Sequence, residues 1–445
     1  MKHKARIMFA AIALSAANLA HAQEKKPMNL NEAIELAVKN SKQLKVSNAK
    51  VEEATASLTE ATQRRLPDAS VTGAYMRLSN ANVDLKSKGS NSGSGGGNTG
   101  TAAPSVSQAM YGILNASLPI YTGGKIRYGI ESSRFLAQAA RLDADNDRDA
   151  VVENTVEAYV NLYKSRKAVE LMKENLVQAQ QRVKDFSNLE QNGLLARNDL
   201  LKAQLQASNT ELSLLDAENN WQIANVNMDL MLGLPEKTEL EPDSNMVTNP
   251  AQEKTLDDYV QSAFKERKDL EALDLRKQAA ETGVKAQKGE YYPNIALTGG
   301  YIAADVPNVM TITNAVNIGL GVSYNFASLW KTRAKVEGAE ARAKQISATQ
   351  ELMNDHVRLE VNRAYLNYLS SRKRIDVYAK AVEQANENFR IVNNKYNNSL
   401  ATLTDLLDAD VAQLQARLNY EFAKADAVVS YNKLLQASGQ LGGTK

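Results

Sequence analysis

Two stretches of the chain, NGLLARNDLLKAQLQ from Asn192 and NSLATLTDLLDADVA from Asn398, repeat one pattern at a spacing of 206 positions. The match extends without a gap from Pro119 to Gly233, and nearer the start of the chain it continues at a spacing of 226. A chain that carries the same unit twice is built from two similar structural units. This duplication constrains the fold more than any single motif does.

The spacing between the copies changes by 20 positions where the first copy contains KSKGSNSGSGGGNTGTAAPS, residues 86–105. A Gly/Ser tract of this kind is typical of a flexible exposed loop, and the proline-punctuated segment between the copies is typical of a linker. The sequence therefore predicts four regions: a signal peptide at 1–22, a first repeat at 23–233, a linker at 234–253 and a second repeat at 254–445.

The first 22 residues predict export. They carry Lys2, Lys4 and Arg6, then an apolar run, then Ala-His-Ala before Gln23, which is the layout of a secretory signal with its cleavage site. A transmembrane anchor is the alternative, but the apolar run is shorter than the ~20 residues that cross a bilayer as a helix. Cleavage removes three positive charges and changes the formal charge from +2 to −1. The mature chain therefore has no excess of basic residues, and its charge does not indicate nucleic acid as a partner.

The residue inventory argues against catalysis. The chain has no cysteine, and His356 is its one histidine outside the predicted signal peptide. Disulfides and thiol chemistry are excluded, and a zinc site or a histidine-based triad has almost no candidate residues. The carboxylates form no recognisable catalytic pair. We therefore expect no enzymatic activity, no cofactor and no metal.

Each copy has the same order of elements: a helix that ends near Pro67 or Pro293, two short β-like runs, a very long helix, a break and another helix. The long helix of the second copy carries a sustained 3-4 apolar repeat, formed by Val361, Tyr365, Tyr368, Ile375, Tyr378, Val382, Ala385, Phe389 and Val392. Such a repeat predicts helices that wind on their neighbours as a left-handed coiled coil. An ordinary coiled-coil stalk fits the helices equally well.

The strands distinguish these alternatives. The segment AVNIGLGVSYNF, residues 315–326, alternates apolar residues with polar or small ones, which is typical of a membrane β-barrel strand. The first copy keeps this parity from Gly112 to Ile120, and weaker alternation occurs at 69–77 and 295–302. A soluble hairpin with one buried face is the alternative. Four strands cannot close a barrel, and open edges do not occur in lipid, so membrane strands would have to be pooled by several chains.

Four further segments carry a resemblance to a known family: LNEAIELAVKNSKQL from Leu30, RRLPDASVTGAY from Arg64, LPIYTGGKIRYGI from Leu118 and EYYPNIALTGGY from Glu290. In their order and spacing, together with the two breaks, the chain resembles the TolC family of outer-membrane efflux factors. The resemblance covers essentially the mature chain. It implies a mainly α protein with membrane β-strands, located in the outer membrane of a Gram-negative bacterium. Four strands from each chain of a homotrimer would form a twelve-stranded barrel that continues into an α-helical tunnel across the periplasm.

The resemblance also implies the function. Such proteins are passive exit ducts in contact with outer-membrane lipid, and they dock to a periplasmic adaptor and an inner-membrane pump. We expect a duct for small molecules such as drugs. The exit duct of a type I protein-secretion or metal-efflux system is the alternative within this fold. From a different class, an exported structural or adhesive coiled-coil protein without a pore is the remaining alternative, and it would not need the alternating strands.

The family turns each long helix back on itself at the two breaks, which form the periplasmic entrance of the tunnel. The resemblance therefore assigns adaptor contacts to six residues: Gly193, Leu194, Leu195, Ser399, Leu400 and Ala401. Ser399 stands where the family has glycine. Ala401 stands where some relatives carry a basic residue that latches the closed entrance.

The segment TDLLDAD matches the family segment whose two aspartates line the entrance, which assigns Asp405 and Asp408 to an acidic ring. Residues at i and i+3 share one helical face, so three chains would present their carboxylates around one axis and attract cations. For both residues the alternative is a role at the helix N-terminus after Thr402.

Two more residues are expected close to the entrance. Asp199 occupies the position equivalent to Asp405, but Lys202 follows it at i+3, so a role at the helix N-terminus fits it better than a ring. Tyr396 matches an aromatic position near the constriction, and packing between helices is its alternative.

Overall fold

The computed structural model describes residues 25–82, 105–243, 254–307 and 310–441. The predicted signal peptide lies outside the described residues, as do residues 86–104 of the Gly/Ser tract and residues 244–253 of the linker. The strands are β1 (Lys25–Met28), β2 (Asp68–Asn82), β3 (Ser105–Tyr121), β4 (Glu239–Pro242), β5 (Asn294–Val306) and β6 (Met310–Ser323). The helices are α1 (Leu30–Asn40), α2 (Lys42–Gln63), α3 (Lys125–Gln191), α4 (Arg197–Leu232), α5 (Leu256–Glu266), α6 (Lys268–Lys288), α7 (Ser328–Asn397) and α8 (Leu403–Ala437).

The described part is mainly helical, as the sequence predicts. None of its helices combines the length and the apolar character that crossing a membrane requires. The described residues divide into two compact units: one falls within 1–50, 141–272 and 350–445, and the other falls within 51–140 and 273–349. Each unit draws on both predicted repeats, so the compact units and the repeats are different divisions of the chain. The repeat boundaries stay a prediction from the sequence.

The second unit contains a four-stranded antiparallel sheet in the order β2-β3-β5-β6. Its register places Val71 opposite Leu114, Leu114 opposite Tyr301, and Tyr301 opposite Val316. Because side chains directly opposite each other share one face of a sheet, these four apolar residues lie on the same face. The predicted parity between the two copies is therefore present in the sheet.

The two faces of this sheet differ in polarity. On β6 the apolar face is strongly exposed in the single chain, with Val316 at 71%, Ile318 at 83%, Leu320 at 70% and Val322 at 69%. Exposed apolar area of this extent marks a surface that meets another protein or lipid. The opposite face carries pairs of small or polar residues, which are Ser70 with Asn115, Ser117 with Thr298, and Gly300 with Asn317.

The sequence prediction for the end of the last strand is wrong. The alternation suggested a strand through Phe326, but β6 ends at Ser323. Asn325 ends it, because its side-chain Oδ1 accepts a hydrogen bond from the Ala327 N–H at 3.1 Å and its carbonyl accepts one from the Ser328 N–H at 2.9 Å. These bonds form the turn that starts α7. The strand also begins earlier than predicted, at Met310.

The first helix of each copy, predicted as continuous, is two helices. The breaks lie at Ser41 and Arg267, which are equivalent at the spacing of 226. Each break places a side chain on the end of another helix. Asn40 Nδ2 donates to the Leu232 carbonyl at 2.5 Å, and Arg267 Nη1 donates to the Ala437 carbonyl at 3.0 Å. The breaks therefore satisfy carbonyls that α4 and α8 leave without intrahelical partners.

The core of the first unit includes a two-stranded parallel sheet, β1 with β4, that the sequence did not predict. Tyr159 on α3 is fully buried beside it. Its hydroxyl donates to the Met28 carbonyl at 2.7 Å and accepts from the Asp243 N–H at 2.9 Å. One side chain thus binds the ends of both strands, because the donor and the acceptor capacity of the phenol are each used.

Candidate functional site

The first helical turn joins α3 to α4. After α3 ends, Gly193 adopts a φ of 72°. Its N–H donates to the Glu190 carbonyl at 2.9 Å, and the Leu194 N–H donates to the Leu189 carbonyl at 2.8 Å. This pair of bonds is a Schellman motif, which satisfies the last carbonyls of a helix. Glycine suits the left-handed position because it has no Cβ.

The second helical turn joins α7 to α8 and has the same backbone. Ser399 adopts a φ of 60°. Its N–H donates to the Tyr396 carbonyl at 2.9 Å, and the Leu400 N–H donates to the Lys395 carbonyl at 2.8 Å. Serine therefore takes the left-handed conformation at the position where the first turn has glycine, and the motif is retained.

The six residues predicted to contact an adaptor differ in exposure. Leu194 is 75% exposed and Leu400, its equivalent, is 76% exposed. Gly193 and Ser399 are also exposed, whereas Leu195 and Ala401 are half-buried. Each turn therefore presents one leucine to solvent immediately after its left-handed residue.

Beneath the turns lies a hydrophobic cluster that we name the turn core. Its buried members come from both turns and are Phe186, Leu200, Ala203, Leu403 and Leu406, with Leu195 packed against them. The ring of Tyr396 lies 5.9 Å from the ring of Phe186, so Tyr396 packs between helices. The turn core holds the two turns of one chain against each other.

Charged groups surround the tyrosine in the turn core. Burial raises the pKa of Tyr396, the negative charge of Asp199 raises it further, and the positive charge of Arg182 lowers it. Asp199 lies in the first turn of α4, where an acidic residue is favoured by the helix dipole. Its carboxylate is 3.7 Å from Lys202 Nζ.

Asp405 closes the N-terminus of α8. Its Oδ2 accepts from the Thr402 N–H at 2.9 Å and from the Thr402 hydroxyl at 2.7 Å, and its own N–H donates to the Thr402 Oγ1 at 3.2 Å. This is a capping box. The hydrogen bonds from the Thr402 side chain and backbone lower the pKa of Asp405. In the first turn the equivalent N-cap is Ala196, whose side chain makes no capping bond.

Asp408 differs from Asp405 because its carboxylate is not held. It is exposed on α8, and within the described ranges it forms no ion pair. Of the two aspartates assigned to an acidic ring, Asp408 is therefore the one whose charge is not already bound within the chain. No group of three or more His, Asp or Glu side chains in the described part is placed to hold a metal ion.

A buried ion pair that the sequence did not predict joins the two long hairpins near the turn core. Arg182 Nη1 on α3 lies 3.0 Å from Asp410 Oδ2 on α8, and the two side chains are 13% and 4% exposed. Among the described residues, the other carboxylate oxygen of Asp410 has no hydrogen-bond partner. One sequence signal existed: Asp410 follows Leu403 by seven positions and Leu406 by four, which places a charge in an apolar stripe.

Comparisons with known proteins agree with this architecture. Outer membrane efflux protein BepC of Brucella suis biovar 1 (strain 1330) is 22% identical over 375 residues, which are 83% of this chain and 77% of BepC. The outer-membrane channel OprN has a TM-score of 0.77 at 19% identity, with 92% of this chain and 90% of OprN covered. The CmeC outer membrane channel of Campylobacter jejuni has a TM-score of 0.76 at 18% identity, with 93% and 86% covered.

These relatives are named as outer-membrane efflux proteins and channels, and none of them is named as an enzyme. The model of the family described as outer membrane efflux protein matches residues 33–234 and 259–440, which are most of the chain. The family resemblance identified from the sequence is thereby confirmed, and so is the predicted location in the outer membrane. The chain belongs to the outer membrane efflux protein family.

Proposed function

We propose that this protein is the exit duct of a tripartite pump, a homotrimer that carries small molecules such as drugs across the periplasm and the outer membrane. Membership of the efflux family and the channel relatives support the duct and its location. One observation carries the trimer. A single chain provides a four-stranded sheet with one exposed apolar face, one polar face and two open edges.

The open edges require partner strands. Among the described residues, β2 and β6 each pair on one side only, so each presents a row of unpaired backbone groups along its outer edge. In lipid these groups would be costly, because no water replaces the missing partners. Pairing β2 of one chain with β6 of the next would join three sheets into a closed barrel of twelve strands. Its apolar faces would meet lipid and its polar faces would line the channel.

The duplication indicates which helices meet between chains. Within one chain α3 packs on α8 through a cluster that includes Val160 and Val429. Their equivalents at the spacing of 206 are Leu366 on α7 and Ile223 on α4, and each is 62% exposed. Val160 and Val429 are thus covered where α3 meets α8, a contact that we call the α3–α8 seam. The equivalent positions on α7 and α4 are exposed. A seam between α4 of one chain and α7 of its neighbour would cover them.

Cross-linking tests this seam directly, because the natural chain has no cysteine. We expect a variant with Ile223→Cys and Leu366→Cys, treated with a short bismaleimide in the native membrane, to give covalent trimers on a denaturing gel. Ile223→Cys alone should give none. Leu366→Cys with Val177→Cys is the matched control and should give no covalent trimers. Val177 is 66% exposed, but it lies on α3, outside the proposed α4–α7 seam. Uncross-linked monomers from all variants would contradict the trimer.

The helical turns are the proposed docking site for the periplasmic adaptor. Leu194 and Leu400 are the side chains that both turns expose at equivalent positions, and exposed leucines at a turn suit an apolar contact with a helical partner. Gly193 and Ser399 supply the backbone that presents them. Leu195 would act indirectly by packing on the turn core, and Ala401 offers no basic side chain for an entrance latch.

Asp408 is the proposed main contributor to an acidic ring at the entrance, because the carboxylate of Asp405 is already bound by Thr402. Three free carboxylates around one axis would favour cations over anions. We expect Asp408→Asn to lower the cation-to-anion permeability ratio, read from the reversal potential of single channels in planar bilayers under a salt gradient. Asp405→Asn is the control and should change the ratio less. An unchanged ratio in Asp408→Asn would remove the ring from the proposal.

A further inference from the structure

A groove of about 680 Å³ lies in the second unit, where β3 leads into α3. Its apolar wall is formed by the end of the strand and the first turns of the helix, through Pro119, Ile120, Tyr121, Ile126 and Ile130. Ile120 is 59% exposed and Tyr121 is 43% exposed, whereas Ile130, which also lines the groove, is buried. The groove therefore offers an apolar surface at the end of a membrane strand.

This apolar wall continues the exposed apolar face of the sheet. Leu118 lies opposite Leu297, and Tyr121 lies opposite Ile295 because the register shifts between Pro119 and Tyr121. A one-residue bulge of this kind changes which face the following residue occupies. It returns Tyr121 to the face that carries Leu118. A molecule seated in the groove would therefore be continuous with whatever covers the apolar face.

The rim of the groove is basic. Arg65, Arg127 and Arg134 line it together with one acid, Glu131. In the part of the chain that the structure describes, none of the three arginines forms an ion pair. Arg65 uses its Nε to donate to the Thr62 carbonyl at 3.2 Å, which leaves its two terminal nitrogens as spare hydrogen-bond donors. Arg127 lies 5.9 Å from the ring centroid of Tyr128. Guanidinium groups with spare donors match phosphate oxygens in geometry and in charge.

We propose that this groove binds a glycerophospholipid with an anionic headgroup from the periplasmic leaflet of the outer membrane. Its phosphodiester would lie among the three arginines, and its acyl chains would lie along Ile120, Tyr121 and the apolar face above them. Basic pockets beside membrane spans hold anionic headgroups in this way. The proposal rests on the outer-membrane location and is independent of what the duct exports.

Lipid retention measured by native mass spectrometry tests the proposal on the full chain in its detergent-extracted assembly. The probe is dioleoyl phosphatidylglycerol, titrated against dioleoyl phosphatidylethanolamine. We expect phosphatidylglycerol to bind preferentially, and Arg127→Gln with Arg134→Gln to weaken its binding about tenfold or more, because each charged hydrogen bond lost is worth roughly tenfold. Arg127→Lys with Arg134→Lys should restore part of the affinity. Arg333→Gln is the matched control, since Arg333 is an exposed arginine of the same unit that pairs with Glu337.

Three results would overturn the proposal. Equal retention of phosphatidylglycerol by the wild type and the Gln double variant would show that the groove does not select the lipid. Full displacement of the lipid by inorganic phosphate at matched concentration would assign the arginines to free phosphate. Dissociation of the assembly in the Gln double variant, with no loss of lipid per chain, would make the groove a contact between copies of the chain.

Discussion

A protein carrying Leu194→Asp together with Leu400→Asp is expected to lose export while still reaching the outer membrane as an assembled particle. The two leucines are 75% and 76% exposed and are not members of the buried turn core, so folding does not depend on them. Burying one leucine side chain in a contact stabilises it by about 1.5–3 kcal/mol. Replacing both with charges should therefore weaken adaptor docking by at least roughly a hundredfold.

The measurement is drug susceptibility of the native host carrying the variant, with the amount and assembly state of the channel determined from the same membranes. Susceptibility should approach that of a strain without the channel. Val177→Asp is the matched control, because Val177 is also a strongly exposed apolar residue, at 66%, and its equivalent in the second copy is already acidic, Glu383. Full resistance in an assembled double variant would remove the helical turns as the docking site.

Replacing Arg182 with Met is expected to give the largest loss of stability near the turns. The substitution leaves Asp410, which is 4% exposed, as a buried carboxylate without a counter-ion, and such losses cost about 3–5 kcal/mol. Arg182→Met with Asp410→Leu should recover most of this loss, because replacing both members of a buried pair is often neutral or stabilising by about 1–4 kcal/mol.

Hydrogen exchange of peptides from α3 and α8 around the turn core would give these local opening free energies. The wild type, Arg182→Met, Asp410→Leu and the double variant form a double-mutant cycle. Measured at equal protein and detergent concentration, this cycle isolates the coupling between the two residues. Arg197→Met is the control, because Arg197 is 73% exposed in its pair with Glu190 and exposed pairs contribute about 0–1 kcal/mol. If the amides of Arg182→Met exchanged no faster than those of Arg197→Met, the buried pair would contribute no more to local stability than an exposed pair does.

The parts of the fold that repeat along the sequence were predictable from it. The alternation around Ile318 and Leu320 correctly indicated a strand with one apolar face, and the spacing of 206 correctly paired the turns at Gly193 and Ser399. In both cases a local pattern carries the information: a period of two in a strand, or a motif present twice. Asp405 shows the limit of this approach, because a capping residue and a ring residue have the same sequence signature.

The features that depend on contacts between distant residues were not predictable. β1 and β4 have four residues each and lie more than 200 positions apart, so neither provides a periodic pattern. The breaks at Ser41 and Arg267 serve the ends of helices elsewhere in the chain. Leu194 is exposed whereas Leu195 is half-buried, because Leu195 packs against the turn core, whose members come from distant parts of the chain. The end of β6 was misplaced because Tyr324 and Phe326 continue the alternation in the sequence beyond Ser323, where the strand ends.

The buried pair between α3 and α8 also limits how chains can assemble. At the spacing of 206 the equivalents of Arg182 and Asp410 are Asn388 on α7 and Gln204 on α4. The α3–α8 seam therefore carries charges, whereas the proposed α4–α7 seam between chains would carry amides. In the proposed ring of six hairpins, two first hairpins placed side by side would set Arg182 against Gln204, and two second hairpins would set Asn388 against Asp410. Each error would bury a charge alone. In the proposed ring, the buried pair would therefore disfavour any order of hairpins other than the alternating one.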